Sequence, residues 1–245
     1  MNLQIHNKET FVRYFLSPVS KLNENVVVKV KPDKITTITS SPDSSVFLNC
    51  TYSNCNATGT EEEILNIPDV TKLSNAINCI TAKDLQFEYD DKTLKYISPD
   101  INFKVHLLED GIINTPAVNI NKLKNIEFDC SFDINYDNLQ TLIKGSTFAT
   151  DTNKLYFELK DDKVTGVLRD SDNEYINTFS SIISDTCEGC IIENPVPITF
   201  EVIRMILGVR FSTCRVHLST KLNVFLFDIS TDEYNINYIV SGLRR

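Results

Sequence analysis

The sequence repeats itself at a spacing of about 129 residues, and this duplication constrains the fold more than any other feature. The stretch Val28–Ile38 (VKVKPDKITTI) aligns with Phe157–Val167 (FELKDDKVTGV), and each predicts two strands joined by a tight turn. A helical pattern that begins at Pro68 recurs at Pro197. Because strands and helices recur in one order at one spacing, we interpret the chain as two similar domains.

Each half reads as a short strand, a helix, three strands, a second helix and three strands. Alternating apolar residues predict strands in the first half at 26–31, 35–40, 46–52, 85–89, 93–97 and 102–107. The second half has predicted strands at 126–132, 154–159, 164–169, 175–183, 215–218, 222–228 and 234–240. Apolar residues at a 3.6-residue spacing predict helices within 7–22, 68–83, 135–148 and 197–211. This pattern predicts an α+β fold in which each domain packs two helices on one face of a mainly antiparallel sheet.

The predicted domains are residues 1–110 and 122–245, joined by a linker at 111–121 that is polar and contains Gly111 and Pro116. The chain has no apolar run near the ~18–20 residues that a membrane span needs. Its first residues also lack the basic and apolar regions of a secretory signal. We therefore expect a cytoplasmic protein without a membrane partner.

The cysteines do not favour a metal site. They are seven in number and scattered, and those in apolar patterns are expected to be buried thiols. Cys187 and Cys190 form a CxxC motif, whereas Cys50 and Cys55 are spaced too loosely for the second tight pair of a zinc site. We predict neither a metal nor a cofactor.

Positive charge is concentrated in the predicted helices although the net charge is −9. The four helical segments contain eight basic and four acidic residues, and the rest of the chain contains 16 basic and 29 acidic ones. All four helical acids lie in first turns, where the helix dipole favours negative charge. Exposed cations on an otherwise acidic protein would direct DNA phosphates to one surface without reading the bases. The alternative is that these are ordinary solvated helix faces, which is the simpler interpretation of any single lysine, but the segregation of charge across four segments favours DNA. The predicted DNA-binding residues are Arg13, Lys21, Lys72, Lys83, Lys144, Arg204 and Arg210.

With these features the sequence resembles the sliding clamps of tailed bacteriophages, which are relatives of proliferating-cell nuclear antigen. The resemblance covers the whole chain. Its most specific stretches are Phe15–Lys21, Leu65–Val70, Lys144–Ala149 and Tyr238–Leu243, together with the order and duplication of the elements. Segments 51–63 and 185–195 depart from the family in length.

The resemblance implies a DNA-clamp fold and a homotrimeric ring around double-stranded DNA in the cytoplasm of a bacterial host. Helices would line the hole, and edge strands 102–107 and 175–183 of adjacent subunits would pair. The ring would hold a DNA polymerase on its template as a processivity factor and would be placed there by a clamp loader. A pocket for short hydrophobic peptides from these partners would involve Ile112, Ile113, Val240 and Leu243.

The sequence also bears on two other function classes. An enzyme lacks support because the sequence has no phosphate-binding glycine loop, no nucleophile elbow and no histidine in a metal or triad motif. The acidic pairs at 90–91 and 161–162 fall at predicted hairpin turns, where aspartate is favoured by the backbone. The alternative is a duplicated, β-rich structural or assembly protein of a virion with no DNA role, which would not require cations on its helices.

Overall fold

The computed structural model describes residues 1–59, 61–116, 126–160, 162–173, 175–189 and 195–243. The chain forms two compact units. The first contains Met1–Ala117 and Ser230–Asn237, and the second contains Val118–Ile229 and Tyr238–Arg245. Residues 117–121 of the predicted linker lie outside the described residues, so the boundaries at 110 and 122 stay a prediction.

Residues 230–237 are part of the first unit because they pack on it. The Ser53 N–H donates to the Glu233 carbonyl (2.7 Å), and the Tyr14 and Tyr234 rings stack with centroids 4.1 Å apart. The predicted division into two continuous domains places residues 230–237 in the second domain, whereas in the structure they belong to the first unit. The contacts that produce it join residues far apart in sequence.

The first unit contains two antiparallel arrays of strands. Its strands are β1 (Asn2–Ile5), β2 (Val26–Lys31), β3 (Lys34–Ser40), β4 (Val46–Tyr52), β5 (Cys55–Ala57), β6 (Glu63–Ile67), β7 (Leu85–Tyr89), β8 (Thr93–Ile97) and β9 (Asn102–His106). One sheet has the order β5-β1-β7-β8-β9, and β4, β3, β2 and β6 are neighbours in another. Side chains along β2, β3, β4 and β7 alternate between buried and more exposed positions, as the period of two predicts.

The first helical segment of this unit changes its pitch before Pro18. It begins as α1 (Lys8–Phe11), continues through a π-helical turn (Val12–Leu16) and ends as α2 (Ser17–Ser20). Pro18 has no backbone N–H, so the Tyr14 carbonyl four residues earlier lacks its usual helical donor. The buried Cys50 thiol of β4 donates to that carbonyl (3.3 Å). The cysteine therefore has a structural role in holding the helix on the sheet.

The second helix of the first unit, α3 (Val70–Asn78), lies within the predicted helical segment 68–83 and begins two residues after Pro68. The Asp69 side chain accepts the Lys72 N–H (2.8 Å) as an N-cap. Val70, Leu73 and Ile77 form the buried face of the helix. The opposite face is left exposed.

The second unit also contains two antiparallel arrays. Its strands are β10 (Cys130–Asn135), β11 (Lys154–Lys160), β12 (Lys163–Leu168), β13 (Phe179–Ser184), β14 (Glu188–Gly189), β15 (Ile198–Thr199), β16 (Thr213–Ser219) and β17 (Val224–Ser230). One sheet has the order β13-β12-β11-β15, and β14, β10, β16 and β17 are neighbours in another. The division into units runs through the last strand, β18 (Tyr234–Ser241).

Aromatic side chains from both sheets of the second unit pack together in its core. The Phe157 ring of β11 lies 5.6 Å from Phe132 of β10 and 5.5 Å from Phe225 of β17, measured between centroids. These rings are almost completely buried. Aromatic side chains of this size contribute much of the apolar area that a sheet pair removes from water.

The helices of the second unit are α4 (Tyr136–Ser146) and α5 (Glu201–Leu207). The Asn135 side chain accepts the Asn138 N–H (2.8 Å) and caps α4 at the first residue of the predicted segment 135–148. The predicted helical segment 197–211 is mostly not helical: Ile198 and Thr199 instead form a strand, β15, that pairs with β11. The backbone partner that decides this lies more than forty residues away in sequence.

Two strand predictions shift by several residues. Segment 126–132 becomes Cys130–Asn135 because the strand continues to the residue that caps α4. Segment 175–183 becomes Phe179–Ser184, and Tyr175 is fully exposed. The short strands β5 and β14 were not predicted, since two or three residues are too few to show a period. The α+β class with antiparallel sheets is confirmed.

Gly145 provides a test of packing between α4 and β13. Helix propensity alone predicts that alanine would stabilise this position, because glycine inside a helix costs about 0.5–1 kcal/mol. A Cβ at this position would overlap the Phe179 ring, and overpacking typically costs about 1–3 kcal/mol. We therefore expect Gly145→Ala to lower the free energy of unfolding by about 1–2 kcal/mol, measured by urea denaturation.

The control is the same substitution in a Phe179→Ala background. There the added methyl group has space, so alanine should be neutral or stabilising. Equal stabilisation in both backgrounds would show that the Phe179 ring does not restrict this position.

Candidate nucleic-acid interface

The four predicted DNA-binding residues of the first unit are exposed. Arg13 lies in the π-helical turn, and Lys21 follows α2. Lys72 lies on α3, with 85% of its side chain exposed, and Lys83 follows that helix. Each therefore remains accessible to a ligand in solution.

Local contacts modify two of these cations. Lys72 forms an ion pair with the capping carboxylate of Asp69 (3.0 Å), and the pair raises the pKa of Lys72. Hydrogen bonds from the Lys72 backbone and side chain lower the pKa of Asp69. Partial burial lowers the pKa of Lys21. Exposed pairs of this kind are weak, so Lys72 can exchange Asp69 for a phosphate.

Lys8, which also belongs to the first helical segment, makes hydrogen bonds within the first unit. Its ammonium group donates to the Ile80 carbonyl, and its backbone N–H donates to the Lys83 carbonyl (2.7 Å). These bonds attach the start of α1 to the segment that follows α3. Lys8 is consequently a structural cation, in contrast to Arg13 and Lys72.

In the second unit, Lys144 and Arg204 are brought together. Both line a groove of about 400 Å³ between α4 and α5, with Ile143 and Leu207 contributing its apolar wall. The helical pattern predicts Ile143 and Leu207 in the buried face, but the structure leaves both half-buried and buries Leu142 and Ile206 instead. Both half-buried residues therefore lie at the edge of a buried helix face, and the two cations lie beside them at one groove.

Arg204 is held in place by its neighbours. Its Nη1 lies 2.8 Å from Glu201 Oε1, and its guanidinium stacks 5.5 Å from the centroid of the Phe200 ring. Lys144 is exposed in the last turn of α4. Arg210 is also exposed, but it follows the end of α5 and does not line the groove.

Apart from those at the helix starts, the described acidic residues lie on strands, turns and loops. Glu9, Asp137 and Glu201 occupy first turns, and Asp69 is a cap. A cavity of about 730 Å³ in the first unit shows the contrast, since six acids line it: Glu62, Glu63, Asp90, Asp91, Glu109 and Asp110. The strands and turns thus carry the negative charge that would repel phosphate.

The predicted peptide pocket involves residues of very different exposure. Ile112 is 59% exposed, whereas Ile113 is 8% exposed and belongs to the core of the first unit. In the second unit Val240 is buried, and Leu243 is half-buried with its N–H bonded to the Pro197 carbonyl (2.7 Å). Ile112 is the residue of the four best placed to meet a partner, and the pocket itself stays a prediction.

Two of the three histidines, His6 and His217, take part in local hydrogen bonds. His6 Nε2 lies 2.8 Å from Asn56 Nδ2, and His217 Nδ1 lies 2.8 Å from Ser131 Oγ. Burial and the nearby Arg215 lower the pKa of His217, so the neutral ring is favoured. His106 is exposed at the end of β9. Within the described ranges, no three potential metal ligands form a group.

The acids at residues 90 and 91 also fit the turn that was predicted for them. The Asp90 carboxylate accepts the N–H groups of Lys92 and Thr93 (2.9 and 2.7 Å) between β7 and β8. The Asp90 carboxylate is therefore used to stabilise its own hairpin turn. Asp161 lies outside the described residues, and Asp162 has φ of 61°, as expected in a tight turn.

Comparison with known proteins finds similar structures but no similar sequence. No protein-family model and no curated protein matches the chain. A solved structure of A. fulgidus proliferating-cell nuclear antigen (PCNA), with the C-terminal region of FEN-1 bound, has a TM-score of 0.81 and 11% identity. That match covers 100% of this chain and 99% of the other.

Two further structures agree. PCNA from Entamoeba histolytica has a TM-score of 0.78 at 10% identity, covering 99% of this chain and 98% of that one. The PCNA2–PCNA3 complex from Sulfolobus tokodaii has a TM-score of 0.73 at 12% identity, covering 99% of each chain. The chain has the fold of PCNA.

The PCNA fold extends over the whole chain, so both helix pairs and all the described sheets belong to it. The narrower resemblance to phage clamps stays a prediction, as do the seven DNA-binding residues. In the part of the chain that the structure describes, none of the helices has the length and apolar character needed to cross a bilayer.

Proposed function

We propose that this protein is a sliding clamp: a non-catalytic ring that encircles double-stranded DNA, holds a DNA polymerase on it and is placed there by a clamp loader. The observation that carries the proposal is the separation of charge on a PCNA fold. Exposed cations lie on or directly after the helices of both units, while acids dominate the strands and turns. A phage origin and a bacterial cytoplasm are part of the same proposal.

The DNA contact would be electrostatic and independent of base sequence. Arg13, Lys72, Lys144 and Arg204 have long side chains that reach outward from helices, and short polar residues such as Asn75 and Thr141 lie beside them. This arrangement provides phosphate contacts without the dense hydrogen-bonding groups that read base edges. Such contacts release counterions and weaken as salt rises.

The first test of the proposal is charge reversal on α4. We expect Lys144→Glu to weaken binding to a 40-base-pair duplex roughly threefold or more, and to flatten the dependence of log K on log salt, because a phosphate contact is lost. Fluorescence anisotropy at low salt measures both quantities. Two duplexes of different base sequence should give equal affinities.

Lys221→Glu is the matched control. Lys221 is exposed in the turn between β16 and β17 of the same unit. Its replacement by glutamate changes the net charge by the same amount as Lys144→Glu. Surface substitutions of this kind alter folding stability by only about 0.5 kcal/mol, so both variants should melt like the parent protein. An equal loss of DNA affinity in both variants would mean that net charge, and not the helix surface, governs binding.

Ring closure is supported by two strands at sheet edges. The outer strand β9 has Phe103 and Val105 half-exposed, and the outer strand β13 has Ile182 with 49% exposure. Unpaired edges with apolar side chains invite pairing with another chain. Head-to-tail pairing of β9 with β13 of the next subunit would cover both edges and close a ring of three.

The homotrimer is tested by Ile182→Asp. A buried carboxylate at the proposed interface costs free energy, so this variant should have the 27.8 kDa mass of a subunit, while the parent protein has three times that mass. Light scattering coupled to gel filtration at micromolar concentration measures it. The control is Leu222→Asp, which places the same charge at an equally exposed apolar residue in a turn.

A parent protein that remains a monomer at all concentrations would contradict the homotrimer. Dissociation of both variants would instead show that any surface charge disrupts the assembly, and the assignment of β13 would fail.

The partner pocket is the third part of the proposal. Ile112 is a large apolar residue in the predicted linker that is 59% exposed, so a partner peptide could cover it. The C-terminal region of FEN-1 is bound to the PCNA of A. fulgidus. For this chain we propose that C-terminal peptides of the polymerase and the clamp loader bind at Ile112, the exposed member of the predicted set; Ile113, Val240 and Leu243 are buried or half-buried in their own units.

Ile112→Asp should therefore weaken binding of a synthetic peptide with the C-terminal sequence of the cognate replicative polymerase at least tenfold, measured by calorimetry. Ile97→Asp is the control, because Ile97 is 64% exposed in the same unit but lies at the end of β8. Ile113 is unsuitable for this experiment since it is buried. Unchanged peptide affinity in Ile112→Asp would remove Ile112 from the site.

The virion alternative is not favoured. A structural protein would share the antiparallel sheets and the acidic turns, but it would leave the exposed helix cations without a role. Failure of the parent protein to bind duplex DNA at low salt would reopen this alternative.

A further inference from the structure

Two cysteines from distant parts of the second unit lie side by side. The Sγ atoms of Cys130 and Cys187 are 3.2 Å apart, although 57 residues separate them in sequence. Cys130 is buried at the start of β10, and Cys187 is half-exposed directly before β14. One thiol is therefore accessible to a solute, and its partner is protected behind it.

The fold holds these two sulfurs together through the pairing of β14 with β10. Cys130 is the register partner of Gly189, and Ser131 is the partner of Glu188. Gly189 has φ of 105°, and a Cβ at this residue would overlap the Asp129 carbonyl. Only glycine permits this close approach, which brings the Cys187 sulfur to Cys130.

Ion pairs hold the same strand from the other side. The Arg215 guanidinium binds Asp133 on β10 (3.0 Å) and Glu188 on β14. The network bridges three neighbouring strands, β14, β10 and β16. The position of Cys187 is thus set by backbone pairing and by charge, and does not depend on the sulfur contact itself.

We propose that Cys130 and Cys187 are a reversible oxidation site, at which a peroxide converts the two thiols into a disulfide. The Cys187 thiolate attacks one peroxide oxygen, the O–O bond breaks, and a sulfenic acid and one water result. Cys130 then attacks the sulfenic sulfur; the S–S bond forms, the S–O bond breaks, and a second water leaves. Two thiols and one hydrogen peroxide give one disulfide and two waters, and a dithiol reductant reverses the change.

The disulfide would fasten a short and weakly paired strand. β14 has only two residues, and the chain reaches it directly from the edge strand β13, where the Ser184 hydroxyl donates to the Thr186 carbonyl (2.9 Å). A cross-link across 57 residues lowers the entropy of the unfolded chain and restrains this segment. The inference concerns the second unit alone and does not rest on the proposed ring.

The experiment treats the purified protein with hydrogen peroxide, blocks remaining thiols and maps disulfide-linked peptides by mass spectrometry without reduction. We expect a Cys130–Cys187 link that dithiothreitol removes. We also expect the melting temperature of the oxidised form to exceed that of the reduced form by roughly 5 °C or more. Cys187→Ser should abolish the link and the rise in melting temperature.

Two further variants serve as controls. Cys190→Ser removes the other thiol of the CxxC motif, and Cys79→Ser removes an exposed thiol on the first unit. Both should retain the link and the rise in melting temperature. A link from Cys187 or Cys130 to Cys190, or full alkylation of both Cys130 and Cys187 after peroxide treatment, would overturn the proposal. Loss of the rise in Cys190→Ser would overturn it as well.

Discussion

Burial of one face of each helix against a sheet is the constraint on which the rest of this structure depends. Val70, Leu73 and Ile77 bury one side of α3, and Leu139 and Leu142 bury one side of α4. Each buried aliphatic side chain contributes about 1.5–3 kcal/mol of apolar transfer free energy. Because that face is committed to the core, charged residues of the helices are restricted to the outward face.

Because of this restriction, a modest number of cations is enough to give the outward helix faces a local positive charge. A protein with a net charge of −9 would repel DNA if its charges were evenly spread. Here the acids lie at helix starts, where they stabilise the helix dipole, and in strands and turns. At an ionic strength of about 0.15 M charges are screened beyond roughly 8 Å, so a phosphate beside a helix responds mainly to the nearby cations.

The sheets produce the other features of functional interest. Antiparallel pairing satisfies the backbone inside each sheet but leaves an outer strand on each side, and β9 and β13 are such strands. The same pairing brings residues that are distant in sequence into register. Cys130 and Gly189 are partners in this way, and the contact between the Cys130 and Cys187 sulfurs follows from it.

The sequence by itself determined the duplication, the α+β class, most strands and the start of α4 at Asn135. These features depend on local periodicity and on hydrogen bonds between residues a few positions apart. Only the tertiary structure decided that Ile198 and Thr199 form a strand, that Ile113 is buried while Ile112 is exposed, and that Lys144 and Arg204 share a groove. Each of these outcomes depends on a partner far along the chain, and periodicity along one segment carries no information about that partner.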